Sequence, residues 1–118
     1  MKYKCLSIVK PNGTRVAMGE KTLEIRSWKP NLMPDEDLLI IENDFSLREP
    51  GQTDLNGRAV ALVNVKSVRD FTKDDVDAAC ATKWDKGYYS WELHNVRAVK
   101  TDQKVIAARD IYEIEITL

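Results

Sequence analysis

Only two cysteines, one histidine, five glycines and four prolines occur in this 118-residue chain. Cys5 and Cys80 are too few for a disulfide framework, and neither belongs to a CxxC pair. With His94 as the single histidine, a zinc or haem site lacks ligands, so no metal and no cofactor is expected. Charge of one sign is also missing. Eighteen Lys and Arg face nineteen Asp and Glu, a net charge of -1, so no bulk positive field holds nucleic acid non-specifically. Any RNA contact must then come from a local cleft. No apolar run approaches the length of a membrane span, and the stretch after Met1-Lys2-Tyr3-Lys4 is too short for a signal-peptide core. The expectation is a cytoplasmic protein without a membrane partner. Repeats and low-complexity tracts are absent, which predicts one domain over residues 1–118, with a monomer as the favoured state.

What the chain does have is apolar residues (43%) in strand-like order. Tyr3 to Val9 reads as a strand broken by Lys10-Pro11-Asn12-Gly13, and a short helix follows to about Met18, with Gly19 at its end. Leu23 to Trp28 alternates with period two: Leu23, Ile25 and Ser27 share one face, and Glu24, Arg26 and Trp28 share the other. Leu38 to Ile41 is a buried strand candidate. Asn43 to Asn56 is polar, holds Pro50 and Gly51, and reads as a long loop of the kind that often serves function. Gly57 to Val68 is apolar on both faces, with Ala59, Ala61, Val63 and Val65 on one of them. Thr72 fits the N-cap of a second helix ending near Ala81. Tyr88 to Val99 and Ile111 to Leu118 complete the strands, the last with Tyr112, Ile114, Ile116 and Leu118 inward. The pattern predicts a mixed α+β, mainly β domain of about six strands with two or more short helices. Closing it into a small barrel would leave no strand edge unpaired.

The densest concentration of chemistry is Met18 to Trp28. Lys21 sits at the helix-to-strand junction, Glu24 and Arg26 follow on one strand face, and Trp28 comes next. A carboxylate beside two cations can relay a proton, and a buried lysine can act as a base. The same spacing also suits a solvated strand face with an ion pair of little energetic weight. Trp28, Tyr88, Tyr89 and Trp91 can stack on a base, although aromatics at strand spacing are commonly core. Asn95 can read a base edge through its paired donor and acceptor, or serve a turn.

The run Gly19-x-Lys21-x-x-Glu24-x-Arg26 resembles the GxKxxExR signature of the ASCH domain, a family of PUA-like β-barrels. Leu6-Ser7-Ile8 followed by Lys10-Pro11 resembles the first strand and turn of that family. Tyr89-Ser90-Trp91-Glu92-Leu93-His94-Asn95-Val96-Arg97 resembles its W-x-L-x-N-V-R strand, and the Ile-Glu-Ile ending also fits. The resemblance implies a PUA-like barrel and a cleft lined by the motif that binds RNA, a nucleotide or a modified nucleoside. It implies Lys21 and Glu24 as the residues of any catalysis, with Lys10, Arg26, Trp28, Tyr89 and Asn95 as ligand contacts. Some small bacterial members are N4-acetylcytidine amidohydrolases that use a lysine, a threonine and a glutamate; others are linked to RNA cleavage. Lys21 matches that lysine, whereas Glu24 stands at the threonine position and the third member has no residue-by-residue counterpart. Binding is therefore the leading expectation. Hydrolysis, of the acetyl group or of RNA, is the alternative.

Overall fold

The computed structural model describes residues 1–118. Seven strands form: β1 (Lys2–Val9), β2 (Leu23–Arg26), β3 (Leu38–Asn43), β4 (Thr53–Asp70), β5 (Tyr89–Ala98), β6 (Lys104–Ala108) and β7 (Ile111–Glu115). One helix, α1 (Asn12–Ala17), and one 3-10 turn (Lys73–Asp75) join them. The sheet runs β2-β5-β4-β3-β1-β7, with β6 paired to β4 off this path. Only β1 and β3 are parallel; every other pairing is antiparallel.

The long strand β4 organises the two faces. A register shift between Ile40 and Ile41 pairs Ile40 with Ala61 but Ile41 with Ala59. Such a bulge adds one residue and flips the side chains that follow it. Ala61, Val63 and Val65 therefore pack with Leu6, Leu38 and Trp91, whereas Ala59 packs with Cys5, Leu39 and Ala107 on the opposite face. The four alanines and valines expected on one face are thus divided three to one. A third small cluster, Leu23, Phe71 and Ala79, anchors β2 against the segment after the 3-10 turn.

The expected mainly β domain forms, but its sheet is open rather than a closed barrel. β6 pairs only with the first part of β4, β7 pairs only with β1, and no ladder joins β6 to β7. Side chains cross that gap instead. The Tyr112 hydroxyl donates to the Ile106 carbonyl (2.9 Å) and lies 2.9 Å from Ser7 Oγ, which accepts the Ala108 N–H (3.2 Å). With the tyrosine proton committed to Ile106, Ser7 donates to Tyr112. Burial pushes the Tyr112 phenol up to about 12, against the lowering effect of its hydrogen bonds, so it is neutral and able to donate. β6 itself escapes the sequence patterning because Lys104-Val-Ile-Ala-Ala is short and its core contact is the small Ala107.

Two further expectations are corrected. The loop expected over 43–56 is shorter, since β4 already begins at Thr53. Gly57 permits this early start, because a Cβ there would lie 2.5 Å from the Val105 carbonyl oxygen of β6. The helix expected from Thr72 to Ala81 is only the single 3-10 turn. Its Thr72 capping box is present, yet the Ala78 carbonyl accepts the Thr22 and Leu23 N–H groups instead of continuing a helical ladder. Cys80 then adopts a left-handed φ of 52°, which ends any regular helix.

Two buried carboxylates fix the short elements. Glu42 accepts hydrogen bonds from Thr14 N (2.6 Å) and Thr14 Oγ1 (2.9 Å), satisfying the start of α1. Asp75 accepts from both Arg69 terminal nitrogens (2.7 and 2.8 Å), from Thr72 N and from Ser90 Oγ. The Arg69 guanidinium holds the Asp75 carboxyl well below its usual range despite desolvation.

A Cβ at Gly13 would meet Glu42 Cβ at 2.8 Å. Gly13→Ala gains about 1 kcal/mol of helix propensity but overpacks the contact at a cost of about 1–3 kcal/mol. A net loss of roughly 1 kcal/mol is expected, read as a lower Tm; an unchanged or higher Tm would mean that Glu42 yields. Asp75→Asn should destabilise at pH 7. Because the folded-state pKa of Asp75 is depressed, its contribution is full above the ordinary aspartate value and fades as pH falls below it. Urea denaturation should therefore show a smaller wild-type-to-variant gap at pH 3 than at pH 7.

Candidate functional site

A cleft of about 330 Å³ opens where the ends of β1 and β2 meet the β6–β7 turn. Its size suits a small ligand. Glu24 and Arg26 of β2, and Trp28 just beyond its end, line the cleft. Leu23 packs on the other face of the strand, and Ile25 packs there and also borders the cleft. The Trp28 ring meets Trp91 edge-on at 5.0 Å between centroids, and Trp91 Nε1 donates to the Trp28 carbonyl. The aromatic wall is therefore held from behind.

Glu24 is 5% exposed and lies between two cations. Lys21 Nζ is 3.4 Å from Oε1, and Arg26 Nη2 is 3.2 Å from Oε2. Oε1 also accepts the Ile25 N–H at 3.0 Å. Desolvation opposes ionisation of Glu24, but the charges of Arg26 and Lys21 outweigh it and hold the carboxyl below its ordinary 4.5. The side chain is an anion throughout the neutral range. Ile25 N–H and Lys21 crowd Oε1, while Oε2 accepts only from Arg26 and keeps an open acceptor position.

Arg26 Nη2 also donates to the Ser7 carbonyl at 2.9 Å. Both hydrogens of that nitrogen are then committed, and the side chain remains 27% exposed. Its Nε and Nη1 donate to no protein group and can each donate singly to a ligand. Lys21 differs from the expectation. Its side chain is 5% exposed, donates to the Ala79 carbonyl and does not line the cleft. The lysine stands behind Glu24 as a fixed cation.

The other expected contacts lie elsewhere. Lys10 is 3.6 Å from Asp44 and outside the cleft lining. Tyr89 packs against the Trp91 cluster, with the Lys29 ammonium 5.1 Å from its ring centroid. Asn95 has a left-handed φ of 50° and donates to Asn64 Oδ1 at 2.8 Å, in a network with Asp37 and Arg97. Neither Tyr89 nor Asn95 lines the cleft. Ser7, Asn12, Asn43, Ser46, Arg109 and Asp110 do, although the motif does not include them. Ser7, a lone hydroxyl between Leu6 and Ile8, and the Arg109-Asp110 pair between two apolar stretches were the visible signals. No three His, Cys, Asp or Glu side chains cluster to hold a metal. No helix is long and apolar enough to cross a membrane.

A search of curated proteins gives no match. Among solved structures, the ASCH protein of Zymomonas mobilis superposes with a TM-score of 0.60 at 11% identity, over 81% of this chain and 69% of that one. A single-residue variant of it superposes at 0.55 with 13% identity, over 87% and 78%. At such identity the likeness concerns the fold. The family model of the ASCH domain matches residues 6–103, which include the whole Gly19-to-Arg26 motif and the β5 strand. The chain belongs to the ASCH domain family.

Proposed function

We propose that this protein binds an RNA-type nucleoside or nucleotide in the cleft built on Glu24, Arg26 and Trp28. One observation carries the reading: a fixed anionic acceptor at Glu24 Oε2 stands beside the unused Nε and Nη1 donors of Arg26, with an indole on the same wall. Cytosine and guanine each present N–H donors next to ring-nitrogen or carbonyl acceptors, so either edge can satisfy both partners at once. Stacking on an aromatic adds about 1–3 kcal/mol per base. The buried Lys21 cation supports Glu24 as an anion and acts as a positioning residue.

Hydrolysis of an acetylated cytosine is the second reading, because Glu24 can take a proton from water while Arg26 braces the oxyanion. The charge state weighs against speed. A general base works best with a pKa near the operating pH, and Glu24 is held below 4.5. Lys21, donating to the Ala79 carbonyl and ion-paired with Glu24 at 3.4 Å, lies outside the cleft lining and does not reach a substrate there. Binding therefore ranks first and turnover is slow or absent.

Calorimetric titration with the four ribonucleosides, their 5′-monophosphates and N4-acetylcytidine tests this. Cytosine or guanine ligands should bind. Glu24→Gln should weaken binding by roughly tenfold to a hundredfold, matching about 1.5–3 kcal/mol for a hydrogen bond to a charged group. Since the Glu24 pKa is lowered, wild-type affinity should stay flat from pH 8 to about 5 and fall only below 4.5. Lys21→Met should move that fall to higher pH. Equal affinity of wild type and Glu24→Gln, or no binding at millimolar ligand, would remove the cleft from the function. Release of acetate from N4-acetylcytidine at a rate that depends on Glu24 would promote the second reading.

A further inference from the structure

Arg109 is the charged side chain at the cleft that the fold leaves uncommitted. Arg26, Arg58, Arg69 and Arg97 each pair with a carboxylate, whereas Arg109 has no ion-pair or hydrogen-bond partner for its guanidinium. It lies in the two-residue turn between β6 and β7, lines the cleft and is exposed. The turn is fixed on both sides. Ala108 N–H is tied to Ser7 Oγ, and Asp110 adopts a left-handed φ of 60° that aspartate tolerates better than most residues. Arg109 also lies beyond residues 6–103, so the family motif does not account for it.

Charge at the site points the same way. Glu24 is already neutralised by Lys21 and Arg26. The charged residues lining the cleft, Glu24, Arg26, Arg109 and Asp110, sum to zero, and the buried Lys21 behind Glu24 adds one positive charge, in a protein whose total is -1. A planar guanidinium with five donors matches the oxygens of a phosphate better than any group on a neutral sugar.

We propose that Arg109 recognises a phosphate, so that the cleft selects a phosphorylated nucleotide over the neutral nucleoside. The proposal rests on the nucleobase reading above and adds the class of ligand. Arg26 and Glu24 take the base edge, and Arg109 at the turn takes the phosphate. That phosphate can belong to a free mononucleotide or to a strand of RNA; both present the same anionic oxygens. Asp110, beside it, opposes the anion and limits affinity.

The test compares cytidine and guanosine with their 5′- and 3′-monophosphates and with a single-stranded hexaribonucleotide of the same base, by calorimetry at low salt. In wild type, a monophosphate of the bound base should be at least tenfold tighter than its nucleoside. Arg109→Gln should abolish that difference while leaving nucleoside affinity unchanged. Asp110→Asn, which keeps the turn, should tighten only the phosphorylated ligands, by a few-fold. A hexanucleotide that binds through Arg109 better than the monophosphates would identify the strand as the source of the phosphate; the reverse order would identify the mononucleotide. If nucleoside and nucleotide bind equally, and both depend on Glu24, the phosphate proposal is overturned while the nucleobase reading stands. A phosphate preference that survives Arg109→Gln also overturns it. If no nucleoside or nucleotide binds at all, both readings fall.

Discussion

Arg26 is the side chain on which the site and the architecture both depend. One of its nitrogens donates at once to Glu24 on its own strand and to the Ser7 carbonyl on β1. β2 has only one ladder partner, β5, so this contact joins it to a strand at the far side of the sheet. The same residue, Ser7, reaches through its hydroxyl to β6 and β7. An open sheet is in this way gathered around a cleft by side chains rather than by backbone pairing. A buried charge that loses its partner costs about 3–5 kcal/mol, so a single exchange at Lys21, Glu24 or Arg26 is expected to lower stability as well as change the site.

This dependence explains a division of labour within the motif. Lys21 and Glu24 are almost fully buried, yet Glu24 and the more exposed Arg26 reach the cleft and Lys21 does not. The lysine also donates to the Ala79 carbonyl, which diverts the segment after the 3-10 turn from helical pairing. Local structure at 76–81 is thus set by a residue more than fifty positions away. Electrostatics of the site and the shape of that segment are one problem.

Much of the fold was legible wherever contact is local and periodic. Alternation placed Glu24 and Arg26 on one face of β2, with Trp28 just beyond its end. It also placed Tyr112, Ile114 and Ile116 toward the core in and after β7, whereas Leu118, expected inward with them, is exposed. What escaped depends on distant pairing. β6 is recognisable only through its partner in β4, and the bulge opposite Ile40 and Ile41 leaves no composition signal. Sheet closure was misjudged because ladder pairing between β6 and β7 depends on twist, which side-chain order does not encode. Within the site, Arg109 and Ser7 reach the cleft from opposite ends of the chain. Asn95 and Tyr89 read equally well as ligand contacts or as packing, and their neighbours Asn64 and Trp91 decide for packing.

An open sheet exposes unpaired edges at β2, β6 and β7, and unpaired edges are templates for recruiting a strand from another molecule. β6 spends its Ala108 N–H on Ser7 and its Ile106 carbonyl on Tyr112. Here each edge is blunted differently. β2 spans only four residues, and the chain beyond it carries Lys29, Pro30 and Pro34, which shorten the available template and remove backbone donors. β7 is five residues long and presents exposed Glu113 and Glu115, the latter 2.7 Å from the amino terminus of Met1. Two such β7 edges approaching one another would bring like charges together. Resistance to amyloid-like stacking, which a closed barrel obtains from topology, is obtained in this protein from strand length, proline and repulsion.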